Sequence, residues 1–120
     1  MKWTFDEERP IWLQLIERLR QRIATGVYPP GQRLPSVREL SCEAGVNPNT
    51  MQRALAQLEI EGLAVTNRTA GRQVTGDSAV IGGLRQRLAR EKIEEFLKNM
   101  EELGYSAGEV AGLLRDGKEQ

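Results

Sequence analysis

The 120-residue sequence contains no histidine and a single cysteine, Cys42. The lack of histidine removes the most common general base of enzymes and the most common zinc ligand. A lone cysteine cannot form an intrachain disulfide or a cysteine cluster for a metal ion. The sequence pattern also pairs no nucleophile with a base, so we expect no catalytic residues, no metal site and no cofactor.

The sequence also lacks a net charge and a long hydrophobic run. Its 17 Lys and Arg residues balance 17 Asp and Glu residues, so no global field attracts it to nucleic acid or to a membrane. No apolar stretch approaches the ~20 residues of a membrane-spanning helix, and residues 1–9 lack the apolar segment of a signal peptide. We therefore expect a cytoplasmic protein that has no membrane partner.

An amphipathic helix is predicted over residues 10–25, between Pro10 and the stop signal Gly26. Apolar residues recur at every fourth position and predict a buried stripe. The stripe consists of Ile11, Leu15, Leu19 and Ile23. We expect the helix arginines Arg18, Arg20 and Arg22 to be solvated. We expect Trp3 and Trp12 to pack against this helix.

Two further short helices, separated by a glycine, predict a helix-turn-helix. Ser36 and Glu39 form the S-x-x-E capping box of a helix that ends near residue 44. Gly45 supplies the left-handed backbone of the turn, and Asn47 caps a third helix that ends near Gly62. The β-prone segments 63–66 and 73–75 then predict a hairpin. The expected fold is mainly α with a small β-hairpin, a winged helix-turn-helix over residues 1–76.

Residues 77–120 are predicted to form an α-helical tail of two helices. The apolar residues Ile93, Phe96, Met100 and Leu103 have the 3-4-3 spacing of a short coiled-coil stripe. We interpret the tail as a dimerisation region, with folding back onto its own domain as the less favoured alternative. Its predicted contact residues are Leu88, Ile93, Phe96, Leu97, Met100, Leu103, Val110, Leu113 and Leu114. Gly82 and Gly83 are expected to kink the long helix or to delay its start.

A tail of this size cannot enclose a metabolite pocket alone, because such pockets need ~300 Å³ or more with several walls. A cleft between two subunits is the alternative place for a small-molecule effector, and the sequence does not indicate which molecule that would be.

The predicted third helix presents polar residues on the side opposite its apolar stripe. Asn and Gln side chains pair with adenine edges in the major groove, and Arg pairs with guanine. Residues 44–58 and 62–76 contain no Asp or Glu, and residues 1–76 carry 10 basic against 8 acidic residues. The tail carries 7 basic against 9 acidic residues, so the neutral total conceals two unlike halves. Residues 1–76 thus have a surplus of two positive charges. This small surplus predicts that DNA affinity depends more on base contacts than on bulk charge.

The segments PGQRLPSVREL (residues 30–40) and GVNPNTMQRAL (residues 45–55) resemble the GntR family of bacterial transcription regulators. The NPNT segment and the short tail are similar to the YtrA subfamily. The resemblance implies a homodimeric, repressor-like protein that binds double-stranded DNA at a palindromic operator. By motif match, Arg38 corresponds to a base-contacting arginine, and Arg33 and Ser36 lie at the phosphate edge. The recognition-helix contacts correspond to Asn47, Asn49, Thr50, Gln52 and Arg53.

The predicted wing departs from the pattern that the resemblance implies. Similar proteins have a wing of the form basic-Gly-Lys-Gly-Thr-Phe, of which only Arg68 and Gly71 are retained here. We expect Arg68 and Arg72 to contact phosphates rather than bases. The remaining alternative is a winged helix that only docks other proteins without binding DNA.

Overall fold

The computed structural model describes residues 3–118 and confirms the predicted fold class, five helices and one two-stranded hairpin within that range. The elements in chain order are α1 (Ile11–Ala24), α2 (Val37–Ala44), α3 (Pro48–Ile60), β1 (Ala64–Asn67), β2 (Gly71–Val74), α4 (Ser78–Glu101) and α5 (Ala107–Lys118). The strands pair antiparallel from Ala64 opposite Val74 to Asn67 opposite Gly71. None of the helices in residues 3–118 is both long and apolar enough to cross a membrane.

The core of the winged-helix part lies between α1 and α3. Leu15, Leu19 and Ile23 of α1 are fully buried, as are Leu55 and Leu58 of α3. Fully burying one such side chain contributes about 1.5–3 kcal/mol, so this contact is the main support of the fold. Ile11 is an exception to the predicted stripe, because it remains 39% exposed at the first turn of α1.

The prediction that Arg22 lies on a solvated face is wrong. Arg22 is only 4% exposed, and its Nη1 donates hydrogen bonds to the Tyr28 hydroxyl and, at 3.1 Å, to Glu43 Oε2. Its guanidinium carbon also lies 4.5 Å from the centre of the Trp3 ring. These partners offset part of the cost of removing the charge from water, while the buried Nε of Arg22 has no hydrogen-bond partner among the described residues.

Burial and pairing also change the pKa values of Arg22 and Tyr28. Burial raises the pKa of the Tyr28 phenol above its usual value, against the opposing effect of the neighbouring Arg22. Burial alone would lower the pKa of Arg22, but its contacts with Tyr28 and Glu43 outweigh burial and raise that pKa. Arg22 is therefore a permanently charged structural residue of the core.

The helix-turn-helix begins and turns where the sequence predicts. Ser36 Oγ accepts the Glu39 N–H at 3.1 Å, and Glu39 Oε1 accepts the Ser36 N–H at 3.3 Å, which completes the capping box. Gly45 ends α2 with φ 70°, a left-handed conformation that disfavours residues with a Cβ. Asn47 Oδ1 accepts the Asn49 N–H at 2.7 Å and caps α3. Because both caps are local, they determine where α2 and α3 begin independently of the wing.

The long helix α4 runs without interruption from residue 78 to residue 101, so the prediction of a delayed start at Gly82 and Gly83 is wrong, and the predicted kink stays a prediction. Each glycine costs about 1 kcal/mol of helix propensity relative to alanine. The burial of Leu84, which is 3% exposed, offsets part of this cost next to the two glycines.

The chain divides into two compact units, Met1–Arg85 and Gln86–Gln120, and this division falls inside α4. The predicted domain boundary at residue 76 precedes α4 and stays a prediction. In the second unit, Gly104 has φ 90°, and Ser106 with Glu109 forms a reciprocal capping pair at the start of α5. Val110 is the well-buried apolar residue of this unit, with 2% exposure.

Candidate nucleic-acid interface

The first two turns of α3 present an exposed polar surface, here called the α3 face and defined by Asn49, Gln52 and Arg53. All three side chains are exposed, whereas Thr50 is half-buried. The buried residues Met51, Ala54 and Leu55 hold the opposite side of the helix against the core. Amide and guanidinium groups on one exposed helical side match the hydrogen-bonding edges of bases in a major groove.

Arg53 is held by a contact with the first helix. Its guanidinium carbon lies 4.0 Å from the centre of the Trp12 ring, and Trp12 is half-buried on α1. Stacking on an aromatic face restricts the rotamers of a long side chain and leaves its N–H groups available at the ring edge. The structure therefore gives Trp12 a second role besides the predicted packing against α1.

Arg38 and Ser36 lie at the N-terminal end of α2. Arg38 is exposed, and it lines an open groove of about 610 Å³ that also includes Pro48, the first residue of α3. A common groove means that Arg38 and the start of the recognition helix border the same piece of surface. The Ser36 oxygen is already an acceptor in its capping box, as Asn47 Oδ1 is at α3. Ser36 and Asn47 therefore each support the start of a helix, and any DNA contact would use their remaining donor groups.

The segment that precedes α2 lies along the wing. The N–H of Leu34 donates to the Arg72 carbonyl at 2.9 Å, the N–H of Val74 donates to the Gln32 carbonyl at 2.9 Å, and Arg33 forms an isolated bridge with Gln73. Arg33 itself is exposed. This pairing places Arg33 beside β2, an arrangement that the sequence pattern did not reveal.

The two wing arginines differ in their surroundings. Arg68 is exposed in the loop of the hairpin. The Arg72 side chain is only 17% exposed, and its Nε lies 3.5 Å from Glu59 Oε1. Glu59 also accepts a hydrogen bond from the Thr66 hydroxyl, so one carboxylate of α3 connects to both strands of the wing. Arg72 therefore fastens the wing to α3, and Arg68 is the more accessible of the two for a phosphate.

The carboxylates at the far end of α3 are paired within the chain. Glu61 accepts hydrogen bonds from Arg20 and, at 2.9 Å, from Gln57 Nε2. With Glu59 bound to the wing, the two acids that follow the acid-free segment 44–58 are both engaged. Their pairing reduces the negative field that an incoming phosphate backbone would meet.

Some of these contacts had a signal in the sequence, and others had none. Arg22 follows Leu15 by seven residues and Leu19 by three, which places it on the buried stripe of α1. In contrast, no local spacing connects Trp12 to Arg53 or Glu59 to Arg72, because the partners lie far apart in the chain. Such pairs depend on how α1, α3 and the wing pack together.

The predicted dimerisation residues differ in exposure. Ile93, Phe96, Leu103, Leu113 and Leu114 are exposed by 56%, 41%, 72%, 45% and 59%. Leu88, Leu97 and Met100 are half-buried, whereas Val110 is already buried within the single chain. Five of the predicted contact residues are therefore large apolar side chains exposed in the single chain.

The fold and the α3 face define a winged helix-turn-helix of the DNA-binding class. The family model described as bacterial regulatory proteins of the gntR family matches residues 12–74. The chain therefore belongs to the GntR family and is a DNA-binding transcriptional regulator, as its resemblance implies.

Two curated relatives come from Bacillus subtilis. The HTH-type transcriptional regulator YhcF is 36% identical over 106 residues, which are 88% of this chain and 88% of that protein. The HTH-type transcriptional repressor YtrA is 39% identical over 66 residues, 55% of this chain and 51% of YtrA. The predicted similarity to YtrA is thus confirmed in the winged-helix part.

Two solved structures extend the comparison. A GntR family transcriptional regulator from Listeria monocytogenes is 35% identical with a TM-score of 0.85, and the match covers 93% of this chain and 98% of that one. The DNA-binding domain of AraR, solved in complex with operator ORE1, is 26% identical with a TM-score of 0.53. That match covers 62% of this chain and 94% of the AraR domain.

Proposed function

We propose that the chain is a homodimeric, cytoplasmic repressor that binds an inverted-repeat operator without any catalytic step of its own. One observation carries this proposal, namely the exposed, acid-free α3 face beside Arg38. In a dimer, two such faces would enter successive major grooves about 34 Å apart along the duplex. Two similar proteins, the transcriptional repressor YtrA and the operator-bound domain of AraR, support the same activity.

The contacts are proposed to divide by position. Arg38, Asn49, Gln52 and Arg53 contact base edges, because they border the start of α3 and are exposed. The phosphate-contacting set is Arg33, Ser36 and Arg68, with Asn47 and Thr50 supporting the start of α3. Arg72, which pairs with Glu59, contributes by holding the wing.

The dimer is proposed to form through the exposed apolar residues of the tail. Phe96 and Leu103 are exposed by 41% and 72%, and two copies of this surface would remove each other's apolar area from water. Val110 would act indirectly, since it is already buried in the single chain.

Selection of a random double-stranded DNA pool with the full-length chain tests the proposal. We expect an enriched inverted repeat whose half-sites are one helical turn apart, bound by two chains per duplex. Gln52→Ala should lose preference at one position of each half-site, whereas Gln86→Ala, on the exposed surface of α4, should not. No enrichment and no salt-sensitive binding would instead favour a winged helix that docks proteins.

A further inference from the structure

Arg22 occupies a position on the apolar stripe of α1 where a charge is costly. Only 4% of the residue is exposed, and its Nε has no hydrogen-bond partner among the described residues. The neighbouring Leu19 and Ile23 are fully buried, so apolar side chains fit this stripe. Replacing a buried ion pair by apolar residues of similar volume is often neutral or stabilising. Stability alone therefore does not account for an arginine at this position.

The contacts of Arg22 join α1 to the end of α2. Its Nη1 donates a hydrogen bond at 3.1 Å to Oε2 of Glu43, the seventh of the eight residues of α2. The Glu43 side chain is 42% exposed, so water would solvate its carboxylate without Arg22. The pair is therefore better understood as a connection between two helices than as a way of satisfying Glu43.

The N-terminal segment, residues 3–9, covers Arg22. Trp3 is 8% exposed, and the centre of its ring lies 4.5 Å from the guanidinium carbon. Gln14 of α1 holds this segment, because its Oε1 accepts the Asp6 N–H and its Nε2 donates to the Asp6 carbonyl, both at 2.7 Å. An aromatic ring stacked on a guanidinium restricts the rotamers of the arginine. The segment thus favours the conformation of Arg22 that reaches α2.

The helix α2 is short, and its buried residues lie on one side. Leu40 and Ala44 are buried, and α2 packs on α3. A helix of this length measures about 12 Å, and a few apolar contacts along one side do not by themselves fix its rotation. Arg38 lies about 140° around the helix axis from Glu43, at 3.6 residues per turn. A link from Glu43 to α1 therefore fixes the direction in which Arg38 points.

We propose that Arg22 is a positioning residue for DNA recognition, because it fixes α2 through Glu43 so that Arg38 meets its base. This inference rests on the proposed function, in which Arg38 contacts a base edge. Hydrogen bonds to bases need a defined distance and angle, so a rotated α2 weakens the Arg38 contact. Gln52 lies on α3, which the core holds, and keeps its own contact. Trp3 strengthens the link by restricting Arg22.

Base-pair substitutions in the selected duplex test this selectively. Two base pairs are first assigned, as those at which Arg38→Ala and Gln52→Ala lose discrimination. Arg22→Met should lower discrimination about three- to tenfold at the Arg38 base pair and leave the Gln52 base pair unchanged. Glu43→Ala, which breaks the link from α2, should give the same selective loss. Glu17→Ala removes the carboxylate of an exposed ion pair on α1 and should change neither base pair.

Stability and a mutant cycle separate positioning from general damage. Arg22→Met should leave the midpoint of chemical denaturation unchanged or raise it, because it replaces a buried charge by an apolar side chain. In the Arg38→Ala background, Arg22→Met should cause no further loss of discrimination, because the side chain that α2 positions is absent. Equal losses at both base pairs, or undiminished discrimination at the Arg38 base pair, would overturn the proposal. Arg38→Ala without any base-specific loss would overturn it as well.

The link can also be measured without DNA, by amide hydrogen exchange in the full chain. Arg22→Met and Glu43→Ala should accelerate exchange in α2 about threefold or more relative to α3, and Trp3→Ala should accelerate it less. Trp3→Phe keeps an aromatic ring over Arg22 and should exchange like the unaltered chain. Unchanged exchange in α2 would overturn the link. If the unaltered chain binds no duplex selectively, the proposed function fails instead, and the exchange rates still decide whether Arg22 holds α2.

Discussion

The winged-helix part and the tail bury their apolar residues to very different extents. In the first, Leu15, Leu55 and Leu58 are completely covered. In the second, Phe96 and Leu103 remain 41% and 72% exposed in a single chain. The first unit therefore has its own core, whereas the tail leaves most of its large apolar side chains exposed in a single chain. In the proposed dimer, this difference separates residues that determine folding from residues that determine association.

The largest effect is expected from a cavity in the first core. Leu55→Ala should lower the free energy of unfolding by about 2–5 kcal/mol, because it removes a fully buried side chain. Phe96→Ala should instead weaken self-association with a smaller loss of stability. Chemical denaturation and sedimentation measure the two quantities. The two variants should be compared at a concentration where both sediment as monomers. If Leu55→Ala and Phe96→Ala then lower the free energy of unfolding equally, the distinction between folding and association residues would be contradicted.

The next effect distinguishes base contacts from phosphate contacts. Gln52→Ala should cost about 1–3 kcal/mol on the selected duplex and little on a scrambled one. Arg68→Ala should weaken both duplexes similarly and reduce the salt slope by about one. Fluorescence anisotropy at three salt concentrations measures both changes. A sequence-selective loss in Arg68→Ala would place base recognition in the wing.

A smaller effect is expected from the contact between α1 and α3. Trp12→Leu removes the ring under Arg53 and should reduce operator affinity by about 0.5–1 kcal/mol. In the Arg53→Ala background the same substitution should have almost no effect on affinity. Additive losses in this double-mutant cycle would mean that Trp12 does not act through Arg53.

The smallest effect concerns the start of α5 in the tail. Hydrogen bonds from the Ser106 backbone and side chain lower the pKa of the exposed Glu109. Its contribution to stability is therefore fully present above the ordinary pKa of a glutamate and is lost as the pH falls through the lowered pKa of the folded chain. Amide exchange in α5 should accelerate at low pH. Glu109→Gln should remove that dependence, and Glu102→Gln should retain it.

Local features of this fold were predictable from the sequence, and long-range contacts were not. The capping box at Ser36 and the left-handed Gly45 depend on neighbouring residues, so their pattern was sufficient. The pairing of Glu59 with Arg72 depends on how the hairpin folds against α3. At Gly82 and Gly83 the local pattern was itself misleading, because the weak helix preference of glycine did not delay α4, which continues through both residues.

The candidate site also has local features that were predictable from the sequence and long-range contacts that were not. The exposure of Asn49, Gln52 and Arg53 was predictable from the apolar stripe of α3. The Trp12 contact and the groove beside Arg38 required the folded arrangement.

The central claim is that two copies of the α3 face recognise one inverted repeat. The most direct measurement is a titration of the selected duplex, and of the same duplex with five base pairs inserted between its half-sites, with the full chain at physiological salt. We expect two chains per duplex, binding that is at least about 10³-fold tighter than to scrambled DNA, and loss of most of that preference on the half-turn insertion. Equal affinity for the spaced and unspaced duplexes, or saturation at one chain per duplex, would contradict it.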